Sequence, residues 1–267
     1  MQFLGIKVDE ITKENALQKA LEFLRGGQHT IFTPNPEFVV KAQKDEYFKK
    51  VLNSGDLNLC DGMGLQIFTG IKRVPGVDFM LEICRVAQEQ QKSIYLLGSG
   101  SDEVVRKTAE ELQEKFPNLK IVGHDRGPEL IENIDCHSRQ SGNPVDNCLD
   151  SHFDGNDSTT VDKINKTNSD ILFVAFGMGK QEKWIYENLN KMPGVKIAMG
   201  VGGSFDFISG KVKRSPLFLR RLGLEWMYRL IREPRRFGRI FNATVKFTYL
   251  VLKSKFLMSN VKSNPND

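Results

Sequence analysis

Short β-rich apolar runs alternate with longer stretches of helical period along most of this 267-residue chain. That alternation points to a layered α/β fold, a largely parallel sheet flanked by helices. The strand-like runs are Thr30–Thr33, Leu57–Cys60, Ser93–Leu97, Lys120–Val122, Asp170–Phe176 and Val195–Met199. Helical patterns follow over Glu37–Leu52, from near Met63, over Asp102–Phe116 and over Lys180–Lys191. Ligands of such sheets sit at the carboxyl ends of the strands, so function is sought in the turns that follow them. Two segments break the rhythm. From Glu132 to Asn168 Asn, Asp, Ser, Thr and Gly dominate, which reads as a mostly solvated polar insertion with a short helix at each edge. From about Ser215 the chain is helical in pattern, with Pro234 placed to end or kink one helix and start the next.

Charge divides the chain in the same way. Residues 1–210 hold 24 Lys/Arg against 30 Asp/Glu, whereas residues 211–262 hold 14 against two, Glu225 and Glu233. The net +5 of the whole thus conceals an acidic body and a basic appendage, with the boundary placed at 210/211. In the appendage arginine outnumbers lysine and Trp226, Tyr228, Phe218 and Phe237 are interleaved with it. Such a pattern suits an anionic membrane surface, an amphipathic helix docked on its own domain, or nucleic acid. Apolar Phe247, Leu250, Val251, Leu252, Phe256 and Leu257 are many for a segment that only touches a polyanion, so a membrane surface or a partner is favoured over nucleic acid. Ile240–Met258 is interrupted by Lys246, Lys253 and Lys255, which argues against a spanning helix.

The amino terminus lacks a basic stretch followed by a long apolar one, so the expected location is the cytosol, where Cys60, Cys84, Cys136 and Cys148 would be reduced thiols. Cys136, His137, Cys148 and His152 lie close together but lack the paired spacing of closed zinc sites. No metal is expected.

Four strand-to-helix junctions carry the chemistry: Thr33-Pro34-Asn35-Pro36-Glu37, Cys60-Asp61-Gly62-Met63-Gly64, Leu97-Gly98-Ser99-Gly100 and Phe176-Gly177-Met178-Gly179-Lys180-Gln181-Glu182. Glycine lets backbone N–H groups approach a phosphate, and the positive end of the next helix favours the anion. A fifth, Gly200-Val201-Gly202-Gly203, has more glycine than a tight turn needs and suggests close approach to something flat or charged. Asp61 would present a carboxylate at the sheet rim as a general base, or else cap the helix that begins at Gly62-Met63. Arg73 offers a bidentate phosphate donor, or a surface pair with Asp78. The early junctions lack the Gly-x-Gly-x-x-Gly of a nicotinamide dehydrogenase.

Taken in order, Thr33-Pro34-Asn35, Asp61-Gly62-x-Gly64, Arg73-x-x-Gly76-x-Asp78, Leu96-Leu97-Gly98, Gly177-x-Gly179-x-Gln181-Glu182-x-Trp184-Ile185, Gly200-Val201-Gly202-Gly203-x-Phe205-Asp206 and Leu222-Gly223-Leu224-Glu225-Trp226-x-Tyr228-Arg229-Leu230 followed by Glu233-Pro234-x-Arg236 resemble the WecG/TagA/CpsF family of bacterial glycosyltransferases. The resemblance covers Gly5 to about Phe241 apart from the insertion. It implies a Rossmann-like core and inverting transfer of N-acetylmannosamine or a related sugar from a UDP donor to a polyprenyl-diphosphate-linked acceptor. The expected setting is the inner face of the cell membrane, with no cofactor. On this likeness Asp61 would be the base. Thr33, Asn35, Arg73 and Gln181 would line the sugar and diphosphate pocket, with the turns at Gly177, Gly202 and Gly203. Arg229, Arg236 and Arg239 would complete it from the appendage. Association of several copies is compatible with this reading. A noncatalytic, membrane-tethered nucleotide-binding protein on the same fold is the alternative. The chain has no Asp-x-Asp triplet, which metal-dependent nucleotide-sugar enzymes commonly use, so arginines would balance the departing diphosphate.

Overall fold

Six parallel strands form the central sheet of the computed structural model, which describes residues 1–127, 157–221, 227–228 and 237–262. In chain order the elements are β1 (Gln2–Phe3), β2 (Ile6–Lys7), α1 (Lys13–Phe23), β3 (His29–Phe32), α2 (Pro36–Ala42), α3 (Glu46–Asn53), β4 (Leu57–Asn58), α4 (Met63–Thr69), α5 (Gly76–Glu89), β5 (Ser93–Gly98) and α6 (Asp102–Lys115). They continue with β6 (Lys120–Asp125), α7 (Asp157–Thr167), β7 (Ile171–Ala175), α8 (Lys180–Asn188), β8 (Ile197–Gly200), α9 (Ser204–Ile208), α10 (Leu217–Arg221) and α11 (Phe237–Lys262). Strands β1 and β2 make a separate antiparallel hairpin, and the large sheet runs β4-β3-β8-β7-β5-β6.

Strand periodicity divides the core between the two faces of this sheet. Ile31, Ile94, Leu96, Ile171, Phe173, Ile197 and Met199 point to one side, where Ala20 and Phe23 of α1, Met80 and Ile83 of α5, Leu112 of α6 and Phe205 of α9 cover them. Their neighbours Phe32, Tyr95, Leu97, Leu172, Val174 and Ala198 point to the other, under Phe38 of α2, Phe48 of α3, Trp184 of α8 and Phe247 and Val251 of α11. The central strands β5 and β7 are buried at every residue.

Two expectations need correction and one is met in part. The helical stretch 37–52 is two helices, because Asp45 leaves helical geometry and caps α3 by accepting from the Phe48 N–H at 2.8 Å. The helix expected at the far edge of the segment 132–168 is present as α7, 11 residues long, and it buries Val161 and Ile164 in the second core; the helix expected at the near edge lies outside the described residues. The strand expected at 120–122 runs to Asp125; as an edge strand with alternating exposure, it gives little apolar signal beyond Val122.

Candidate functional site

All six strands of the sheet end at one cleft of about 1050 Å³. Its wall takes Thr33 and Asn35 from the turn after β3 and Asp61 and Gly62 from the turn after β4. Ser99 and Gly100 follow β5, Arg126 and Gly127 follow β6, Gly177 follows β7, and Gly202 and Gly203 follow β8. Thus Thr33, Asn35, Asp61, Arg73, Gly177, Gln181, Gly202 and Gly203, scattered over 170 residues of sequence, are brought together. Arg229 and Arg236 lie outside the described residues; Arg239 falls in α11, but its side chain lies outside them too.

Asp61 does not cap the helix that follows. Gly62 occupies the N-cap of α4, and Asp61 instead turns one carboxylate oxygen toward the Gly76 N–H, 3.4 Å away at the start of α5. Its own N–H donates to the Pro34 carbonyl at 2.9 Å, which ties the β4 turn to the β3 turn. A Cβ at position 76 would stand 3.3 Å from the Thr33 hydroxyl and 3.5 Å from the Asp61 carboxylate, so a side chain there would crowd Thr33 and border the carboxylate. Beside Asp61, burial, reinforced by the carboxylate charge, pushes the Cys60 thiol up to about 12, which removes it as a nucleophile at neutral pH. Cys60 and Cys84 are free thiols; Cys136, His137, Cys148 and His152 lie outside the described residues. Among the described residues, no three His, Cys, Asp or Glu side chains gather as a metal-ligand set.

Arg73 is not the partner of Asp78. Its guanidinium donates to the Arg220 carbonyl of α10 at 2.9 Å, while Arg214 pairs with Asp78 at 2.6 Å. Arg73 and Arg214 therefore fasten the start of the basic segment to the body, and both line the cleft. Arg126 is the third arginine on the wall, 3.8 Å from Asp102. Sequence reasoning missed Arg126 because β6 seemed to end too early; extending the strand-end rule to Asp125 would have exposed it. Asn35 has a structural duty, since its carbonyl oxygen caps α2 by accepting from Glu37 and Phe38. Only its amide nitrogen is left to face a ligand.

Gln181 and Glu182 form a buried chain of donors that ends on a carboxylate. The Gly202 N–H donates to Gln181 Oε1 at 2.9 Å, Gln181 Nε2 donates to Glu182 Oε1 at 2.6 Å, and the Gly179 N–H donates to Glu182 Oε2 at 2.6 Å. This holds the β7 and β8 turns at a fixed separation. It also accounts for Gly200, where a Cβ would meet Gln181 Nε2 at 2.7 Å and Glu182 Oε1 at 3.0 Å; the other two glycines of that turn, Gly202 and Gly203, line the cleft. Burial pushes the Glu182 carboxyl up to about 7, against the pull of the Gln181 amide, the Gly179 N–H, its own backbone N–H and Lys41. Of the surrounding charges, Lys183 pairs with Asp45 at 3.0 Å, and burial together with Lys183 lowers Lys41.

This polarity makes a prediction. Glu182→Gln places an amide where the chain needs an acceptor; whichever way the two glutamines turn, one N–H is left unpaired, costing about 1–3 kcal/mol. The pH dependence distinguishes it from general damage. Because Glu182 holds its proton more tightly folded than unfolded, native stability should fall as pH rises from about 4.5 to about 7, by on the order of 3 kcal/mol, and level off above. Urea unfolding at pH 5 and pH 8 should show that decline in the wild type and little of it in the variant; equal declines would remove Glu182 as its source.

The model of the glycosyl transferase WecG/TagA/CpsF family matches residues 1–260. The chain belongs to that family. It is 33% identical over 232 residues to the N-acetylglucosaminyldiphosphoundecaprenol N-acetyl-beta-D-mannosaminyltransferase of Bacillus subtilis (strain 168), covering 84% of this chain and 79% of that protein. It is 28% identical over 272 residues to the Staphylococcus aureus (strain MW2) protein of the same name, covering 98% of this chain and 96% of that one. The family match takes in most of α11 as well as the sheet, so the basic segment is part of the family unit.

Proposed function

We propose that this chain is an inverting glycosyltransferase that moves N-acetylmannosamine, or a related hexose or uronic acid, from a UDP donor to an acceptor carried on polyprenyl diphosphate, in the building of a cell-surface polysaccharide or teichoic-acid-type polymer. The observation that carries the reading is the position of Asp61, a carboxylate at the rim of the sheet in a cleft that also holds glycine turns and three arginines. The names of the two relatives support the acceptor class and the sugar.

In this reaction Asp61 accepts the proton of an acceptor hydroxyl. The hydroxyl oxygen forms the new bond to C1 of the donor sugar from the face opposite the nucleotide, and the C1–oxygen bond to UDP breaks with its electron pair leaving on the diphosphate. The guanidinium groups of Arg73, Arg126 and Arg214, with backbone N–H groups of the β7 and β8 turns other than those of Gly179 and Gly202, offer donors for that charge, the part a metal plays in other enzymes. No cofactor is assigned. The appendage, 211–267, adds cations and rests on the inner face of the cell membrane; among the described residues no helix is long and apolar enough to cross a membrane.

The test incubates the purified protein with a panel of UDP-sugars and N-acetylglucosamine linked through diphosphate to a short polyprenyl chain, with and without EDTA. A product one sugar heavier by mass, with stoichiometric UDP release and no loss of rate in EDTA, is expected. UDP binding without any transfer would favour the noncatalytic alternative.

A further inference from the structure

The cleft is not uniform along its length. Next to Asp61 it is polar, but its other end lies between α4 and α11, where Met63, Ile67 and Phe68 face Thr244, Phe247 and Thr248. None of those six side chains is charged, so the lining itself supplies no countercharge to a nucleotide diphosphate. It is nevertheless open, for Ile67 is 68% exposed on the cleft wall. Helix α4 starts directly after Asp61 and Gly62 and rises about 1.5 Å per residue, which puts Ile67 and Phe68 roughly 8 Å further along. That leaves room on this side for an acceptor whose hydroxyl is at Asp61.

Helix α11 presents three adjoining faces. Phe247 and Val251 are buried against the body, Thr244 and Thr248 line the cleft, and Phe241, Val245, Tyr249 and Leu252 are exposed. The exposed four recur at helical spacing and make one apolar stripe beginning beside the cleft-lining threonines. Lys246, Lys253 and Lys255 are exposed along the same helix, and Lys255 Nζ stands 5.6 Å over the Phe68 ring. An uncharged passage thus runs from the reacting corner to an apolar strip set among cations.

We propose that the passage between α4 and α11 holds the first isoprene units of the acceptor, with the chain continuing along the Phe241–Leu252 stripe. This rests on the transferase reading and assigns the lipid portion of its acceptor to named residues. Apolar chain against Met63, Ile67 and Phe68 is favourable by removal of apolar surface from water alone. The diphosphate, between the polar and apolar ends, stays within the range of cations on both.

Two measurements on the full-length protein test this. In the first, Ile67→Glu, at an exposed position that tolerates charge, is compared with wild type on acceptors with identical sugar diphosphates but either a long polyprenyl or a propyl tail. The ratio of long-tail to short-tail KM is expected to rise at least tenfold, about 1.4 kcal/mol of lost tail binding; an unchanged ratio would overturn the passage. In the second, a benzophenone-bearing farnesyl diphosphate is photo-crosslinked and the adducts mapped by mass. Adducts within peptides holding Ile67–Phe68 or Thr244–Thr248 support the passage, and adducts confined elsewhere reject it. Failure of the wild type to glycosylate either acceptor would count against the transferase reading, while the cross-link map would still decide where an isoprenoid binds.

Discussion

Asp61→Asn is expected to lower sugar transfer by about 10²–10⁴-fold while leaving UDP affinity near the wild-type value. The asparagine keeps the size of the aspartate, and its carbonyl oxygen can still accept from the Gly76 N–H that faces position 61. What it loses is basicity: an amide does not take up the acceptor proton. The backbone tie from position 61 to the Pro34 carbonyl does not involve the side chain, so the joined β3 and β4 turns should survive. The decisive comparison is therefore UDP titration by calorimetry beside single-turnover transfer. Loss of both would make Asp61 a strut of the cleft; retention of transfer would exclude it as the base.

That assignment was half legible in the sequence, and the missing half has a physical cause. A carboxylate between an apolar strand and a helix is equally suited to capping and to catalysis, and the two differ only in which way the turn directs it. The positive φ of Gly62, 103°, gives the N-cap to the glycine, a backbone fact with no side-chain signature beyond glycine itself. Strands β5 and β7 were easier, because a strand covered on both faces is apolar at nearly every position. The break between α2 and α3 was passed over although it leaves a trace: Phe38, Val39 and Ala42 share one helical face and Phe48, Val51 and Leu52 another, and the six-residue step from Ala42 to Phe48, with Asp45 inside it, fits no single helix. Long-range pairing was least visible. Asp78 lies five residues from Arg73, yet its partner is Arg214, and only the folded path of the chain after α9 brings that residue back. Gln181 and the glycine turns were recognisable as a group, but not that the glutamine's two ends are spent on Gly202 and Glu182.

Phe247→Ala is expected to release α11 from the body. The ring is 2% exposed, lies 5.7 Å from the Phe68 ring in an edge-on arrangement and 6.0 Å from Phe3, and joins the hairpin, α4 and α11 at one point. Truncating such a phenylalanine costs about 3–5 kcal/mol when the neighbours cannot close the gap. Here the helix has another way out: it can leave, because beyond the Phe247 and Val251 face its described side chains are mostly exposed or border the cleft. The loss should then appear locally, as faster hydrogen exchange and proteolysis within 237–262, with a much smaller change in the melting of the sheet. Function should follow the helix. Thr244, Phe247 and Thr248 form one wall of the cleft, so transfer to a lipid-linked acceptor should fall at least in proportion to the released fraction, whereas binding of UDP at the strand-end turns should change less. Phe247→Leu, which retains most of the apolar contact, should lie between wild type and alanine in both exchange and turnover. If Phe247→Ala instead melts the sheet and α11 together, α11 is part of the cooperative core, and its docking cannot be a separate step in acceptor binding.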